Sequence, residues 1–556
     1  MEATTTKPEY QHFVPQFLLR NFSHPYKPAG NRRRGQRQDK NGIYYSELVV
    51  NNVDLTADPL VICEKPVKRI LGQMNMYQDV APSSNSNSNS NSNPDNNSAS
   101  PSQTQTQRNL EDMLGKLENK AAVVFRKITR AFDKHLEANE AETKETTGER
   151  GPALVELTRA ERDLIRKFLF ILKYRGSGFH RRFYHDKPES YSDIDREVLR
   201  EYMAKRGYAR PLDVWYDNIK AIIEVDMDLE GKWMTELPKR MYPDDAIWFW
   251  THTEYYYMYV APFTYRLALT QFIHRTICTP SDQGDEFILT DNSYNVFEGP
   301  VSFGKDVKTG RLENTSYTPL HMFAPVSPKL MIVLRSMTFP IPLEDANEAV
   351  KMFRELHRKV VLDLVYSNET KSMLADLPVD KARNNYSRVV DGRLELLSGI
   401  GRLKRKEDHR FYFTVFPISS KHVNTINAVL LDNCATSTSV VFKTQSVFAK
   451  TLEWYLTAPS NIGKVVTGDD AERRGEMLDR LEALSRHLGS REETVRSTLD
   501  DAEELDYEAF RQHRLEEHRR IKMVLSGEID TLRKEWEAKQ PRSEFARIYE
   551  ILGVQS

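Results

Sequence analysis

The chain has 556 residues and a formal net charge of −1, with 29% of its residues charged, so no global field draws it to nucleic acid or to a membrane surface. Its length exceeds one small core and suits roughly two to four domains. Cys63, Cys278 and Cys434 lack the spacing of a metal site or redox pair, as expected of free thiols in a reducing compartment.

The opening residues lack the basic and apolar regions of a secretory signal. The most apolar stretch, 246–269, is interrupted by His252, Glu254 and Arg266, whereas a membrane span needs roughly 20 mostly apolar residues. The expectation is a soluble intracellular protein, cytoplasmic or nuclear and not secreted, with no membrane partner.

Residues 1–80 read as an α/β segment. It opens on Gln11-His12-Phe13-Val14-Pro15-Gln16-Phe17-Leu18-Leu19-Arg20-Asn21-Phe22, which sets polar groups into an apolar run. Pro15 suits the first turn of a helix. Gln16 and Arg20, four apart, then share one face, while Phe17, Leu18 and Phe22 bury the other. A basic loop (Arg32, Arg33, Arg34, Arg37, Lys40) precedes a strand-like run, Ile43 to Val50. Residues 81–108, rich in Asn, Ser and Gln, are expected to be a disordered insertion.

Residues 109–466 read as an α-rich body with a small sheet, sharing one core with 1–80. Leu110, Leu114, Leu117, Ala121, Val124 and Ile128 recur three and four apart, the stripe of a long amphipathic helix. Thr158 and Glu161 make a capping box for a helix carrying Leu164, Phe168 and Leu172. That helix stops at Gly176 with Arg175 in its last turn. The aromatic segment 244–278 suggests buried helices, and 344–364, 422–432 and 446–456 suggest further ones. Strand-like runs fall at 287–289, 330–334 and 411–416.

Residues 467–556 read as a charged helical tail. Its two short heptad runs, Met477 to Leu488 and Leu525 to Trp536, suit a helical hairpin or a coiled-coil dimer, and so self- or partner-association.

Common catalytic signatures are absent. Gly299 to Lys305 fits most of a phosphate-binding loop, but Asp306 stands where Ser or Thr must hold magnesium, and no helix pattern follows. His252 and Glu254, two apart, point to different helix faces and make a poor metal pair. No metal site or cofactor is expected. The basic loop lacks the stacking aromatics of a nucleic-acid groove, so a solvated loop is favoured over a nucleic-acid contact.

Composition leaves four groups unexplained: the opening motif, Arg175 at the end of an apolar helix, Asp291 with Asn292 after a strand-like run, and Asn424 with Asn427 on one helix face. His12, Arg20, Arg175 and Asp291 are the catalytic candidates; Gln16, Asn21, Asn292, Asn424 and Asn427 are the binding candidates. Arginines clamp phosphate or carboxylate, and His12 can shuttle a proton. The competing reading is a satisfied buried polar network.

These segments resemble the family grouped as domain of unknown function 4238, and in particular a fungal branch of it. The likeness runs through the opening motif, Met76-Tyr77, Asn109-Leu110-Glu111, Leu117-Glu118, Phe168 to Arg175, Leu289 to Asn292, Ala324 to Lys329 and His422 to Asn427. It covers about residues 9–456. Where the wider family tends to Ser-Asp-x-Pro, this chain has Thr290-Asp291-Asn292-Ser293. The resemblance implies no activity, since the family has none assigned, but it groups His12, Arg20, Arg175, Asp291 and Asn427.

The expected fold is α+β and predominantly α-helical: a helical body, a small β-sheet and a charged helical tail. Three function classes stay open. They are a hydrolase or nuclease acting on a phosphate-containing substrate, an interaction or regulatory module using the tail, and a nucleic-acid binder using the basic loop.

Overall fold

The structure is a computed structural model. It describes residues 10–27, 43–44, 47–74, 76, 103–142, 152–181, 203–204, 208, 210–224, 274–294, 296, 302–307, 312–316, 321–336, 339, 345–349, 351–352, 354, 372–378, 382–390, 393–397, 406–459, 464, 466, 471–496 and 503–505. The basic loop, most of the Asn/Ser insertion, the His252–Glu254 pair, most of the helix expected at 344–364 and the heptad run from Leu525 lie outside these residues.

The helices are α1 (Gln16–Phe22), α2 (Gln103–Glu142), α3 (Arg159–Arg175), α4 (Ser177–Arg181), α5 (Pro211–Glu224), α6 (Ser420–Asp432), α7 (Gln445–Thr457) and α8 (Ala471–His487). The long amphipathic stripe became α2, which starts at Gln103, inside the stretch 81–108 expected to be a disordered insertion. Leu110, Leu114, Leu117, Ala121, Val124 and Ile128 are all buried along it. The capping box of α3 is formed on both sides: Thr158 Oγ1 accepts from Glu161 N at 3.2 Å, and Glu161 Oε2 accepts from Thr158 N at 2.8 Å. Two orphan amides at the helix start are thereby satisfied.

Strands carry much more of the fold than expected. A six-stranded sheet places His321–Ser327, Leu330–Arg335, His274–Pro280 and Arg410–Ile418 side by side; Leu154–Thr158 and Arg383–Asn384 also pair with the last of these. All pairs are antiparallel except Arg410–Ile418 with His274–Pro280, where Val415 faces Ile277. A five-stranded sheet joins His24–Pro25, Leu48–Asp54, Ser439–Phe442 and Leu289–Thr290, with Val61–Pro66 on the second of them.

Helix makes up 46% and strand 25% of the described residues, so the expectation of a predominantly helical body with a small sheet is corrected to a mixed α and β fold. The physical reason is burial on both faces. The runs expected at 330–334 and 411–416 are strands, Leu330–Arg335 and Arg410–Ile418, but His321–Ser327 is buried at all but its last residue and so lacks the alternation that marks a half-exposed strand. The end of the aromatic segment, expected to be helical, is likewise the strand His274–Pro280.

Two buried clusters result. One gathers α1, α2, α3 and α5, with Phe22, Phe125, Phe168 and Trp215 at its heart; the indole Nε1 of Trp215 donates to the Tyr174 carbonyl at 2.9 Å. Fully burying each such side chain contributes on the order of 2–3 kcal/mol. The other lies under α6 and α7 and takes in Met477, Leu478, Leu481 and Leu484 of α8. The first heptad run of the expected tail therefore packs on the body.

Candidate functional site

A cleft of about 670 Å³ opens between α1, the strand that precedes it and one face of α2, and Arg175 from the end of α3 reaches its wall. The carbonyl of Pro15 accepts from Leu18 N at 3.0 Å and Leu19 N at 3.3 Å, which starts α1. The helix then turns Leu18, Leu19 and Phe22 into the core and leaves Gln16, Phe17, Arg20 and Asn21 on the cleft. Phe17 differs from expectation: it is half-buried on the cleft wall, with ring centroids 5.7 Å from both Phe125 and Phe168.

The residues before α1 are held by a short antiparallel pairing of Tyr10–His12 with Gly72–Met74. The Tyr10 hydroxyl donates to the Gly72 carbonyl at 3.0 Å, and Phe13 N donates to the Leu71 carbonyl at 2.7 Å. Leu71 adopts φ 48°, in the left-handed region, which costs a non-glycine residue on the order of 1–2 kcal/mol. Burial pushes the Tyr10 phenol up to about 12.

His12 is buried, with Nε2 3.2 Å from the Val67 carbonyl. A carbonyl oxygen only accepts, so this partner assigns the proton to Nε2 and leaves the lone pair of the neutral ring on Nδ1. Burial holds the His12 pKa below its usual value, and the positive charge of Arg175 adds to this against the opposing pull of the Val67 carbonyl and Glu118. The ring is therefore neutral at physiological pH. Arg175, also buried, is ion-paired through Nη1 with Glu118 Oε1 across the cleft wall. Arg20 is exposed, and its guanidinium makes no hydrogen bond or ion pair among the described residues. Arg126 gives Nε to the Ala122 carbonyl at 3.2 Å.

The structure thus brings His12, Gln16, Arg20, Asn21 and Arg175 to one cleft. Asn21 is also a tie, donating Nδ2 to the Val326 carbonyl at 2.7 Å. Asp291, Asn292, Asn424 and Asn427 do not line the cleft. Asp291, 1% exposed, accepts from Thr438 N at 3.0 and 3.1 Å and from Thr438 Oγ1 at 2.7 Å. Burial pushes its pKa up, opposed by these donors and by the Ser437 and Ser177 hydroxyls. Asn292 bridges Gly178 N and Thr436 Oγ1. Asn427 accepts from Ile288 N at 3.2 Å and donates to the Glu286 carbonyl at 2.8 Å. These side chains tie the 286–292 loop to α4, α6 and the 436–438 turn; Asn424 is half-buried on α6.

Sequence reasoning passed over Tyr10, Glu118, Asn119 and Arg126. The signal was there: Glu111, Gly115, Glu118, Ala122, Arg126 and Thr129 recur three and four apart, one stripe round from the apolar residues of α2. Among the described residues no group of His, Cys, Asp and Glu side chains is arranged to hold a metal ion, and no helix is long and apolar enough to cross a membrane. In place of the phosphate-loop pattern, Ser302–Asp306 is a strand paired with Leu312–Ser316.

Fold and site together define a mixed α and β protein with a polar, arginine-lined cleft built around its opening motif. The chain belongs to the family described as protein of unknown function (DUF4238), which it matches over residues 10–446. No curated protein and no solved structure matches it.

Proposed function

We propose that the cleft binds a small phosphate-bearing molecule and that His12 acts there as proton acceptor in its hydrolysis. The observation that carries this reading is the joint placement on one cleft wall of the Arg20 guanidinium, unpaired among the described residues, and the neutral His12 ring. Arg20 and the terminal nitrogens of Arg126 supply forked donors that match phosphate oxygens. Arg175 is committed to Glu118 and positions the buried end of the cleft. In the reaction, Nδ1 of His12 takes a proton from water as the water oxygen bonds to phosphorus. The ester P–O bond breaks, and the leaving oxygen departs with a solvent proton.

The setting belongs to the same proposal: a fungal member of the family, working inside the cell. The motif segments and the three free cysteines support it.

Titration calorimetry with inorganic phosphate, alongside hydrolysis of p-nitrophenyl phosphate, tests the reading. Binding should be lost in Arg20→Ala, and turnover should be lost in His12→Ala with binding retained. Absence of phosphate binding by the unaltered protein would sink the proposal; binding without turnover would remove only the hydrolytic step.

A further inference from the structure

Resting on the reading of the cleft as a phosphate site, we infer that its ligand is a phosphomonoester with a flat body, of the nucleoside monophosphate class. The cleft is too long for a phosphate alone. Gly115 and Arg126 both line it and stand eleven residues apart on α2, about 16 Å at the 1.5 Å rise of a helix. Its volume of about 670 Å³ lies in the range that encloses a whole small molecule, roughly 300–1,000 Å³.

The phosphate belongs at the arginine end, with Arg20 and Arg126. Toward the other end, Gly115 lies between Glu111 and Glu118 on the cleft face of α2. A Cβ built on Gly115 would meet nothing within 4 Å, so helix backbone there faces open space in the cleft. Ala122, two turns on, is the next small residue of that face, and the half-buried rings of Tyr10 and, beside Phe125, Phe17 stand on the walls. A planar base can stack on such a ring, and the open space over Gly115 gives it room that a side chain would take. The side-chain amides of Gln16 and Asn119 have no partner among the described residues and can pair with the edge of a base, each offering both donors and an acceptor. Buried within the same wall, 8% exposed, His12 keeps Nδ1 without a partner among the described residues.

The test uses the full-length protein and titration calorimetry with inorganic phosphate, ribose 5-phosphate and the monophosphates of adenosine, guanosine, cytidine and uridine. At least one nucleoside monophosphate should bind tenfold or more tightly than ribose 5-phosphate. Gly115→Leu should abolish that advantage and leave inorganic phosphate binding unchanged. The variant should fold, because leucine is a better helix former than glycine and its Cβ enters empty space; Gly115→Ala, with a smaller intrusion, should give an intermediate loss. Equal affinity for ribose 5-phosphate and all four nucleotides would overturn the flat-body inference while leaving the phosphate site standing, as would undiminished nucleotide preference in Gly115→Leu. Failure of every probe, inorganic phosphate included, would overturn the underlying reading as well.

Discussion

Gly72 stands directly opposite His12 in the strand pairing that carries the opening motif, so close that a Cβ at position 72 would lie 2.2 Å from the Gln11 carbonyl oxygen and 2.9 Å from the His12 Cα. Both obstacles are backbone, so neither can swing aside. We expect Gly72→Ala to push the Tyr10–His12 strand outward, breaking the Tyr10–Gly72 hydrogen bond. Overpacking of this kind costs on the order of 1–3 kcal/mol. Thermal unfolding together with phosphate titration checks it; a variant with unchanged stability and binding would show that the pairing tolerates a side chain there.

Arg20 should behave in the opposite way. It is exposed and unpaired among the described residues, so Arg20→Ala should change stability by no more than about 0.5 kcal/mol. Losing a charge-assisted contact to an anion, by contrast, costs roughly 1.5–3 kcal/mol, about a tenfold to hundredfold weakening. Denaturant midpoints and anion titrations on the same sample separate the two effects.

The Arg175–Glu118 pair joins the end of α3 to the cleft face of α2. Removing one member leaves the other charge in the wall. Arg175→Ala should cost about 3 kcal/mol, the lower end for a buried pair, because Glu118 keeps 25% of its side chain exposed. Replacing both, Arg175→Met with Glu118→Leu, should recover most of that loss in urea unfolding. A double variant as unstable as the sum of the singles would mean that packing, and not charge, holds this contact.

Asp291 offers a test of the polar network away from the cleft. All its described partners donate to it, so Asp291→Asn sets an NH₂ group against other donors. The isosteric change should destabilise the fold by roughly 1–3 kcal/mol and leave anion affinity unaltered. Loss of affinity in a fully folded variant would place Asp291 in the binding machinery after all.

His12 makes stability depend on pH. Its pKa in the folded protein lies below the ordinary 6.5, so between that lowered value and 6.5 the unfolded chain binds more protons than the folded one. Stability therefore falls as pH drops below about 6.5 and levels off once pH passes below the folded pKa. His12→Gln should flatten this slope. Turnover should follow the same neutral ring, holding steady between about pH 7 and 8 and declining on acidification.

Much of the helical half was legible because α2, α3, α6 and α7 are long enough to repeat their apolar spacing and, for α3, to show a capping box. The sheets were legible only in part: the runs at 330–334 and 411–416 are strands, but others gave no signal. Leu289–Thr290 and His24–Pro25 are two residues each, too short to carry a period, and the first of them pairs with Ser439–Phe442, about 150 residues further along. In the site, the opening motif drew attention because polar groups interrupt an apolar run. Glu118 and Arg126 escaped because polar residues on an amphipathic helix read as solvated; Arg126 is in fact exposed, and only the fold shows that both line a cleft. Asp291 and Asn427 misled for the converse reason: a buried carboxylate or amide looks the same in sequence whether it meets a ligand or backbone amides.

The ties of the opening motif also fix when the cleft can exist. Asn21 is bound to the Val326 carbonyl, and the Ser23 carbonyl accepts from Lys443, 420 residues further along. A ribosome adding about 5–20 residues per second leaves the motif waiting some tens of seconds for its last anchor. During that interval the apolar faces of Leu18, Leu19 and Phe22 have no finished core to enter, and they are the part of the nascent chain that a chaperone would have most reason to hold.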